Sequence, residues 1–476
     1  MINDNQTICA VSTAPGVGGV AMIRVSGQQA VSISNSLFRP SRASKQLIDR
    51  TANSLSYGVW HDSSQTDIDD VVVGLFRAPH SFTGEDTVEI TCHGSLFIQQ
   101  SILRSLIESG CRLATAGEFT QRAFLNGKMD LSQAEAVADL IASSSAASHR
   151  LALNQMRGGF SDELKHLRMQ LLDFVSLIEL ELDFSEEDVE FADRSRLTSL
   201  ADQIESVISR LADSFQVGNA IKQGVPVAIV GETNVGKSTL LNRLLNEEKA
   251  IVSDIHGTTR DVIEDVIHLG GIAFRFIDTA GIRQTTDEIE SIGIKRTFEK
   301  IEQASIVLWV VDTTQPIEQI RDMWQLLASS LERKRYIVVL NKIDLVNDTR
   351  RQQWEDSIHS AIRFTTVLHS QLTILSLSAK NDDDIAHLES QLIAAAQLPE
   401  VGDHDVIVTN LRHYEALTQA LSSIQRVKEG LATHLSGDFV SQDIRECLFH
   451  LATITGGQIT TDEILGSIFS RFCIGK

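Results

Sequence analysis

Residues 231–238 combine two glycines, a lysine and a hydroxyl side chain at the spacing of a phosphate-binding loop. Their sequence, GETNVGKS, fits the pattern GxxxxGK followed by Ser or Thr. An apolar run precedes the loop and a helical pattern follows it, which is the context that the motif needs. Backbone N–H groups would point at phosphate oxygens, Lys237 would neutralise the β- and γ-phosphates, and the Ser238 hydroxyl can ligate Mg²⁺. The predicted contacts in and beside this loop are Asn234, Val235, Gly236, Lys237, Ser238 and Thr239.

Two further segments supply polar groups that could reach the same phosphates. Residues 278–281 follow the apolar run 272–277, and a carboxylate at the end of a buried strand faces the ligand crevice of a doubly wound sheet. Asp278 can therefore hold Mg²⁺ through water, while the Gly281 N–H meets the γ-phosphate. Upstream lies a loop with two adjacent hydroxyls, of which Thr259 is predicted to be the second Mg²⁺ ligand. The predicted contacts in these segments are Gly257, Thr258, Thr259, Asp278, Thr279, Ala280 and Gly281.

The choice of base is predicted from the motif Asn-Lys-Ile-Asp that follows the apolar run 337–340. The Asp344 carboxylate can accept two N–H bonds from guanine, whereas adenine offers no such pair of donors. Losing a buried pair of this kind is costly enough to select GTP over ATP. Residues 378–380 follow the last predicted strand, the apolar run 372–377, and complete the base pocket. The residues predicted to surround the base are Asn341, Lys342, Asp344, Ser378, Ala379 and Lys380.

The residue after the Asp-Thr-Ala-Gly segment is Ile282. Ras-like GTPases have a glutamine here that orients the attacking water, and an isoleucine side chain cannot do this. Hydrolysis therefore requires another group to position the water and another charge to stabilise the transition state.

Composition limits the kinds of protein that this chain can be. It has 476 residues, with 42 Lys plus Arg against 63 Asp plus Glu, which gives a net charge of −21. At about 150 residues per domain the length predicts roughly three domains, and a hydrophobic fraction of 42% argues against wholesale disorder. The acidic balance argues against a broad basic face for nucleic acid, so any RNA contact must be local or shared with a partner.

The cysteines and the apolar runs indicate a cytoplasmic protein without a membrane segment. Five cysteines lie far apart, which is typical neither of a disulfide framework nor of a paired metal site, and fits a reducing compartment. The first residues lack the pattern of a signal peptide. The longest apolar runs have the length of strands and fall well short of the ~20 residues that span a bilayer.

The predicted architecture is multidomain α/β plus α. Residues 1–127 mix β-type runs with helical stretches and indicate an α+β domain, whereas residues 128–221 have helical periodicity. Residues 222–398 alternate continuous apolar runs with helices, as in a doubly wound, mainly parallel sheet, and residues 399–476 are helical again. The economical interpretation is one helical domain with a Ras-like P-loop domain inserted between its halves. Two separate helical domains are the alternative.

Beyond the nucleotide motifs, the chain resembles the MnmE (TrmE) family of tRNA-modifying GTPases over nearly its whole length. The resemblance is carried by TAPGVGG near the start, by FTGED, by GEFTQRAFLNGK, by LSQAEA and by the terminal FCIGK. A generic Ras-like protein has none of these segments.

The resemblance implies a homodimer with an N-terminal folate-binding and dimerisation domain, a helical domain built from both flanks, and an inserted G domain. Members act with a flavoprotein partner, MnmG, in a heterotetramer or larger assembly in which the partner carries the FAD. Together they place an aminomethyl-type group, such as 5-carboxymethylaminomethyl, on C5 of the wobble uridine of tRNA. The one-carbon unit comes from a tetrahydrofolate derivative, either 5,10-methylene- or 5-formyl-tetrahydrofolate.

The family also implies site residues beyond the nucleotide motifs. Some members use K⁺ in place of an arginine finger, with G domains that dimerise over the nucleotide. Glu290 matches the family's catalytic glutamate, which acts through a water and would fill the gap left by Ile282. The implied K⁺ ligands are Asn234, Ser253, Ile255 and Thr258, the last three in a stretch that also supplies Asp254 and His256 to the GTP site. The implied folate contacts are Arg24, Glu85, Lys128 and Lys476.

Two other functions fit the nucleotide motifs. One is a regulatory GTPase of ribosome assembly or stress response, whose flanking domains only bind partners. The other is a folate-dependent enzyme with a vestigial G domain, which the complete set of nucleotide motifs disfavours. The first alternative differs from the tRNA-modifying enzyme at the two ends of the chain.

Overall fold

The computed structural model describes most of the chain, in two compact units. The described residues are 6–41, 45–183, 194–248, 265–277, 301–317, 334–362, 372–398, 402, 405–457, 465, 468–470, 472 and 475. The first unit contains Met1–Ala142, Ala152–Arg210 and Glu415–Lys476, and the second contains Ser143–Leu151 and Leu211–Tyr414. Within the described ranges, no helix is both long and apolar enough to cross a bilayer.

A seven-stranded sheet forms the N-terminal part of the first unit. Its strands are β1 (Ile8–Val11), β2 (Gly18–Ser26), β3 (Phe38–Pro40), β4 (Ser54–His61), β5 (Asp67–Phe76), β6 (Thr87–Gly94) and β7 (Arg112–Leu113), in the order β3-β4-β5-β6-β2-β1-β7. The pairs are antiparallel except for β1 with β7. Alternation along β5 buries Val71 and Val73 and leaves Val72 partly exposed, as expected for a sheet with one face in the core.

Two helices pack on this sheet, and further helices form the rest of the first unit. Helices α1 (Ala30–Leu37) and α2 (Leu96–Glu108) pack against the buried face of the sheet. The other helices with residues in this unit are α3 (Glu118–Leu125), α4 (Leu131–Ala142), α5 (Ala146–Met156), α6 (Gly159–Asp183), α7 (Arg194–Gln223), α11 (Leu411–Ala432) and α12 (Gly437–Thr455). Helix α12 packs along α6, so helical segments from both flanks share this unit.

The second unit contains the α/β fold expected for residues 222–398. Its strands are β8 (Val225–Val230), β9 (Asp265–Leu269), β10 (Ile272–Phe276), β11 (Ile306–Asp312), β12 (Arg335–Asn341) and β13 (Leu372–Ser376), in the order β13-β12-β11-β8-β10-β9. All neighbours are parallel except β9 with β10. Helices α8 (Lys237–Glu248), α9 (Asp348–Ile362) and α10 (Asp382–Ala396) belong to this unit.

The sequence patterns predicted most of these elements. All five apolar runs that predict strands of the parallel sheet form strands, and β9 adds an antiparallel edge; the runs are 225–230, 272–277, 306–311, 337–340 and 372–377. The helical pattern of residues 399–476 includes an apolar stripe through Leu411, Leu417, Ile424 and Val427. In α11 the last three are buried, whereas Leu411 is 57% exposed because it begins the helix. Among the described cysteines, Cys9, Cys92, Cys111 and Cys447 are free and buried. The predicted fold class is confirmed, whereas the bounds of the four predicted segments stay a prediction.

Candidate functional site

The phosphate-binding loop joins β8 to α8 in a conformation that two glycines permit. Gly231 has φ +146° and lies so close to β11 that a Cβ atom would approach the Val310 carbonyl oxygen to 2.3 Å. Gly236 has φ +102°, and a Cβ there would lie 2.3 Å from Asn341 Nδ2. Both positions therefore exclude a side chain, for conformational and for steric reasons. The two glycines of the motif therefore allow the loop to curl, as the sequence predicts.

The reactive side chains of the motif lie where α8 begins. Lys237 is the first residue of α8, and its Nζ donates hydrogen bonds to the carbonyl oxygens of Gly231, at 2.6 Å, and of Glu232. Ser238 and Thr239 follow on the exposed side of the first turn. A helix N-terminus carries free N–H groups and a partial positive charge, which suit a phosphate. A hydroxyl beside it is a hard oxygen ligand of the kind that Mg²⁺ prefers.

A buried asparagine ties the three nucleotide motifs together. Asn341 ends β12 and is 2% exposed. Its Nδ2 donates to the Val235 carbonyl oxygen at 2.8 Å, and its Oδ1 accepts from the N–H groups of Lys342, at 2.8 Å, and Ala379, at 3.0 Å. One side chain thus bonds to the phosphate loop, to its own motif and to the segment after β13. A buried amide can make these bonds because it offers both donors and an acceptor.

The remaining residues predicted around the base lie at the same edge of the sheet. Asp344 follows Asn341 in a short 3₁₀ turn and is exposed. Ser378 and Ala379 are buried, and Lys380 is exposed. The Ser378 N–H donates to Asp384 Oδ2 at 2.7 Å, so the first turn of α10 holds this segment in place. The carboxylate and the two polar loops therefore meet at the C-terminal ends of parallel strands, where doubly wound folds bind ligands.

Several predicted site residues lie outside the described residues. They are Ser253, Asp254, Ile255, His256, Gly257, Thr258, Thr259, Asp278, Thr279, Ala280, Gly281, Glu290 and Lys476. Their roles in GTP, Mg²⁺, K⁺ and folate binding stay predictions. Among the residues that are described, no group of three or more His, Cys, Asp or Glu side chains is placed to hold a metal.

A second polar site occupies the first unit, around the loop between β5 and β6. The Glu85 carboxylate accepts from Ser26 Oγ at 2.8 Å and from Arg122 Nη1 at 3.1 Å. Arg122 also donates to Glu118 Oε1 at 3.0 Å and to the Gln6 carbonyl oxygen at 2.9 Å. Glu85 keeps part of its surface exposed while its carboxylate is held in one orientation.

Glu118 is the most strongly perturbed acid of this second site. Burial raises its pKa, but hydrogen bonds from Arg112, the Thr115 N–H and Arg122 outweigh burial and lower the pKa to about 2. Its two oxygens bind Arg112 at 2.7 and 2.9 Å in a bidentate pair. Glu118 therefore stays ionised, and it also binds Arg122, the arginine that orients Glu85.

The other residues predicted to bind folate lie around the same loop. The Arg24 guanidinium carbon is 5.2 Å from the Phe82 ring centroid and 5.7 Å from that of Phe119, and Arg24 pairs with Glu89. Lys128 Nζ donates to the Pro79 carbonyl oxygen at 2.9 Å. The structure thus gathers Arg24, Glu85 and Lys128 around residues 79–86.

Gly475 packs against β1 within the same unit. Gly475 is buried, and its carbonyl oxygen accepts a hydrogen bond of 2.9 Å from Ser12 Oγ. A Cβ at Gly475 would lie 2.1 Å from the Val11 carbonyl oxygen, so the tail contacts the end of β1 closely. Phe469 and Phe472 pack with Leu131 and Phe124 nearby.

Sequence reasoning missed two groups of residues that these sites use. Glu118 and Arg122 lie in the GEFTQRAFLNGK segment. Their opposite charges at an i, i+4 spacing on a helix were the signal that could have predicted this ion pair. Asp312 ends β11 and Thr313 follows it; Thr313 Oγ1 and the Thr313 N–H donate to the Asn341 carbonyl oxygen, at 2.9 and 3.1 Å. A short Asp-Thr-Thr run after a strand has no distinguishing spacing, so this contact was not predictable.

The β8–loop–α8 unit, the parallel sheet and the Asn341 network define a P-loop protein that binds guanine nucleotides. Comparison with known proteins agrees. The TrmE N-terminal family model (GTP-binding protein TrmE N-terminus) matches residues 7–128, and the MnmE helical domain model matches residues 131–473. The chain belongs to the MnmE family of GTPases.

Individual relatives extend this match over the full chain. The tRNA modification GTPase MnmE of Bacteroides fragilis is 59% identical over 473 residues, covering 99% of this chain and 100% of the relative. The corresponding protein of Bacteroides thetaiotaomicron is 58% identical over the same shares of both chains. That of Flavobacterium johnsoniae is 52% identical and covers both chains completely.

Proposed function

We propose that this GTPase modifies C5 of the wobble uridine of tRNA, using a one-carbon unit from methylene-tetrahydrofolate. The proposed product carries a 5-carboxymethylaminomethyl-type group, and an MnmG-type flavoprotein supplies the FAD in the assembly. The relatives are tRNA modification GTPases by name, which supports tRNA as the class of substrate. Because the net charge of −21 argues against a broad basic face, we expect the tRNA contact to be local or shared with the partner, in a cytoplasmic assembly.

The observation that carries the folate part is the fixed carboxylate of Glu85. A pteridine presents N–H donors along one edge, and a carboxylate held by Ser26 and Arg122 can accept from them. The glutamate tail of a folate is anionic, and Arg24 and Lys128 are cations around the same loop. Docking of Gly475 supports an additional contact from Lys476.

The K⁺ part is supported by the loop residue Asn234. Its side chain is exposed, and its backbone is left-handed with φ +62°. A cation held by this side chain together with Ser253, Ile255 and Thr258 would supply the charge that an arginine finger supplies elsewhere. We infer that Glu290 positions the attacking water in place of the glutamine that Ile282 replaces.

A homodimer is supported by exposed apolar side chains on the first sheet. Tyr57 lies directly opposite Val72 in the β4–β5 pair, and Leu55 shares their face two residues along β4. Leu55 is 72% exposed and Tyr57 57% exposed. Adjacent exposed apolar side chains on a sheet favour an interface with a second chain.

The kinetic test of this proposal compares alkali cations. We expect K⁺ to accelerate GTP hydrolysis far more than Na⁺ does at equal ionic strength. Glu290→Ala should lower turnover with little change in GTP affinity, because a water-orienting group acts mainly in the transition state. Equal rates in both salts would contradict the K⁺ site, and loss of affinity alone would contradict the role of Glu290.

The decisive experiment is quantitative nucleoside analysis of tRNA from a deletion strain complemented with point variants. Lys237→Ala should abolish the wobble modification through the nucleotide site, and Glu85→Ala should abolish it through the folate site. Folate binding to the purified Glu85→Ala protein should also be lost. Normal tRNA in the deletion strain would instead favour the regulatory GTPase of ribosome assembly or stress response.

A further inference from the structure

Asp312, the last residue of β11, lies behind the nucleotide motifs and belongs to none of them. Its side chain is 5% exposed, and its Oδ2 accepts from Lys342 Nζ at 2.6 Å. Its Oδ1 accepts from the Thr314 N–H at 2.9 Å and from Thr314 Oγ1 at 2.6 Å. Both carboxylate oxygens are therefore bonded, and Thr314 fixes the orientation of the one that does not face the lysine.

Lys342 connects this carboxylate to the phosphate-binding loop. The same Nζ that binds Asp312 also donates to the Asn234 carbonyl oxygen at 2.9 Å. Asn234 has φ +62° and Lys342 has φ +65°, both in the left-handed region, where residues other than glycine are uncommon. Such conformations persist when the surrounding structure holds them.

We propose that Asp312 is a positioning residue for nucleotide binding, because its carboxylate holds Lys342 against the Asn234 carbonyl and so keeps the phosphate-binding loop in its binding conformation. The loop peptides after Asn234 carry the N–H groups that receive the phosphates. Holding the carbonyl of Asn234 fixes the start of that series before the nucleotide arrives. Asp312 touches no nucleotide atom in this role and acts only through Lys342.

The charge of Asp312 is suited to this task. Burial raises its pKa, but hydrogen bonds from Lys342 and Thr314 outweigh burial, and the pKa is lowered. The carboxylate is thus ionised at neutral pH and forms a charge-assisted bond, which is stronger than a bond to a neutral acceptor. An amide at this position would still fit the space but would hold the ammonium less firmly.

The test measures dissociation of a fluorescent GDP analogue from the full chain. Asp312→Asn should speed dissociation about 10-fold, equivalent to ~1.4 kcal/mol, with a smaller effect on association, because interactions that organise a site act mainly on the off-rate. Asp356→Asn is the matched control: it removes one acidic charge from the exposed side of α9 in the same unit and should leave dissociation unchanged.

A double-mutant cycle separates positioning from a general effect on folding. Lys342→Met should weaken GDP binding, and adding Asp312→Asn to Lys342→Met should weaken it no further, because the aspartate then has no lysine to hold. The preference for GDP over IDP should survive in Asp312→Asn, whereas Asp344→Ala should lose it. Additive effects in the cycle, or an unchanged off-rate in a folded Asp312→Asn protein, would overturn the proposal.

Discussion

The nucleotide site and the N-terminal polar site are built in opposite ways. The nucleotide site uses backbone groups of one contiguous loop, and a single buried amide, Asn341, connects that loop to two others. The N-terminal site uses side chains from separate segments, and Arg122 bridges two carboxylates to orient one of them. A backbone site depends on a short local sequence, whereas a side-chain site depends on contacts between distant segments.

The largest effect that separates the two sites is expected from Lys237→Ala. Removing a positioned cation from a phosphoryl-transfer site should lower GTP turnover by roughly 10²–10³-fold. The proposed folate binding should not change, because none of the residues predicted to contact folate lies in the phosphate-binding loop. Steady-state phosphate release and folate titration on the same preparation check both expectations, and a parallel loss of folate binding would show that the sites are not independent.

The second prediction concerns acid stability of the N-terminal site. The folded pKa of Glu118 is about 2, below its ordinary value of 4.5. A depressed carboxyl pKa stabilises the fold above the unfolded pKa, and this stability is lost as pH falls from about 5 to 2. The full contribution is about 3 kcal/mol, from 1.36 kcal/mol per pKa unit.

Hydrogen exchange of peptides from α3 as a function of pH measures this effect. Protection should fall between pH 5 and pH 2 in the unmodified protein. In Glu118→Gln protection should be lower at pH 7 and should depend less on pH, because no carboxylate remains to be protonated. Peptides from α9 in the second unit serve as the internal reference. An unaltered pH profile in Glu118→Gln would contradict the assigned pKa.

The smallest expected effect tests the contact between Ser12 and Gly475. Ser12→Ala removes one hydrogen bond to the Gly475 carbonyl, which should cost about 1 kcal/mol. Carboxypeptidase should therefore trim the chain end several-fold faster. GTP hydrolysis should be unchanged, which contrasts this variant with Lys237→Ala. Trimming at the original rate would show that packing of Phe469 and Phe472 alone holds the tail.

Strand positions and motif positions were largely predictable from local patterns. Continuous apolar runs predicted the central parallel strands because such strands are buried on both faces. The glycines at 231 and 236 were predictable because a loop that turns backbone N–H groups toward phosphate needs residues without side chains. The edge strand β9 was not predicted, since an edge strand has one neighbour and a weaker apolar pattern.

The amino-acid sequence by itself determined the nucleotide class, because each guanine-site motif is a contiguous segment at the end of a strand. It also determined the family, because segments typical of that family are distributed from the first residues of the chain to the last. Only the tertiary structure decided which residues support the predicted site residues and the chain near its end: Asp312 binds Lys342, Arg122 binds Glu85, and Ser12 binds Gly475. These pairs are separated by 30, 37 and 463 residues, so strand register and packing, not local sequence, bring them within hydrogen-bond distance.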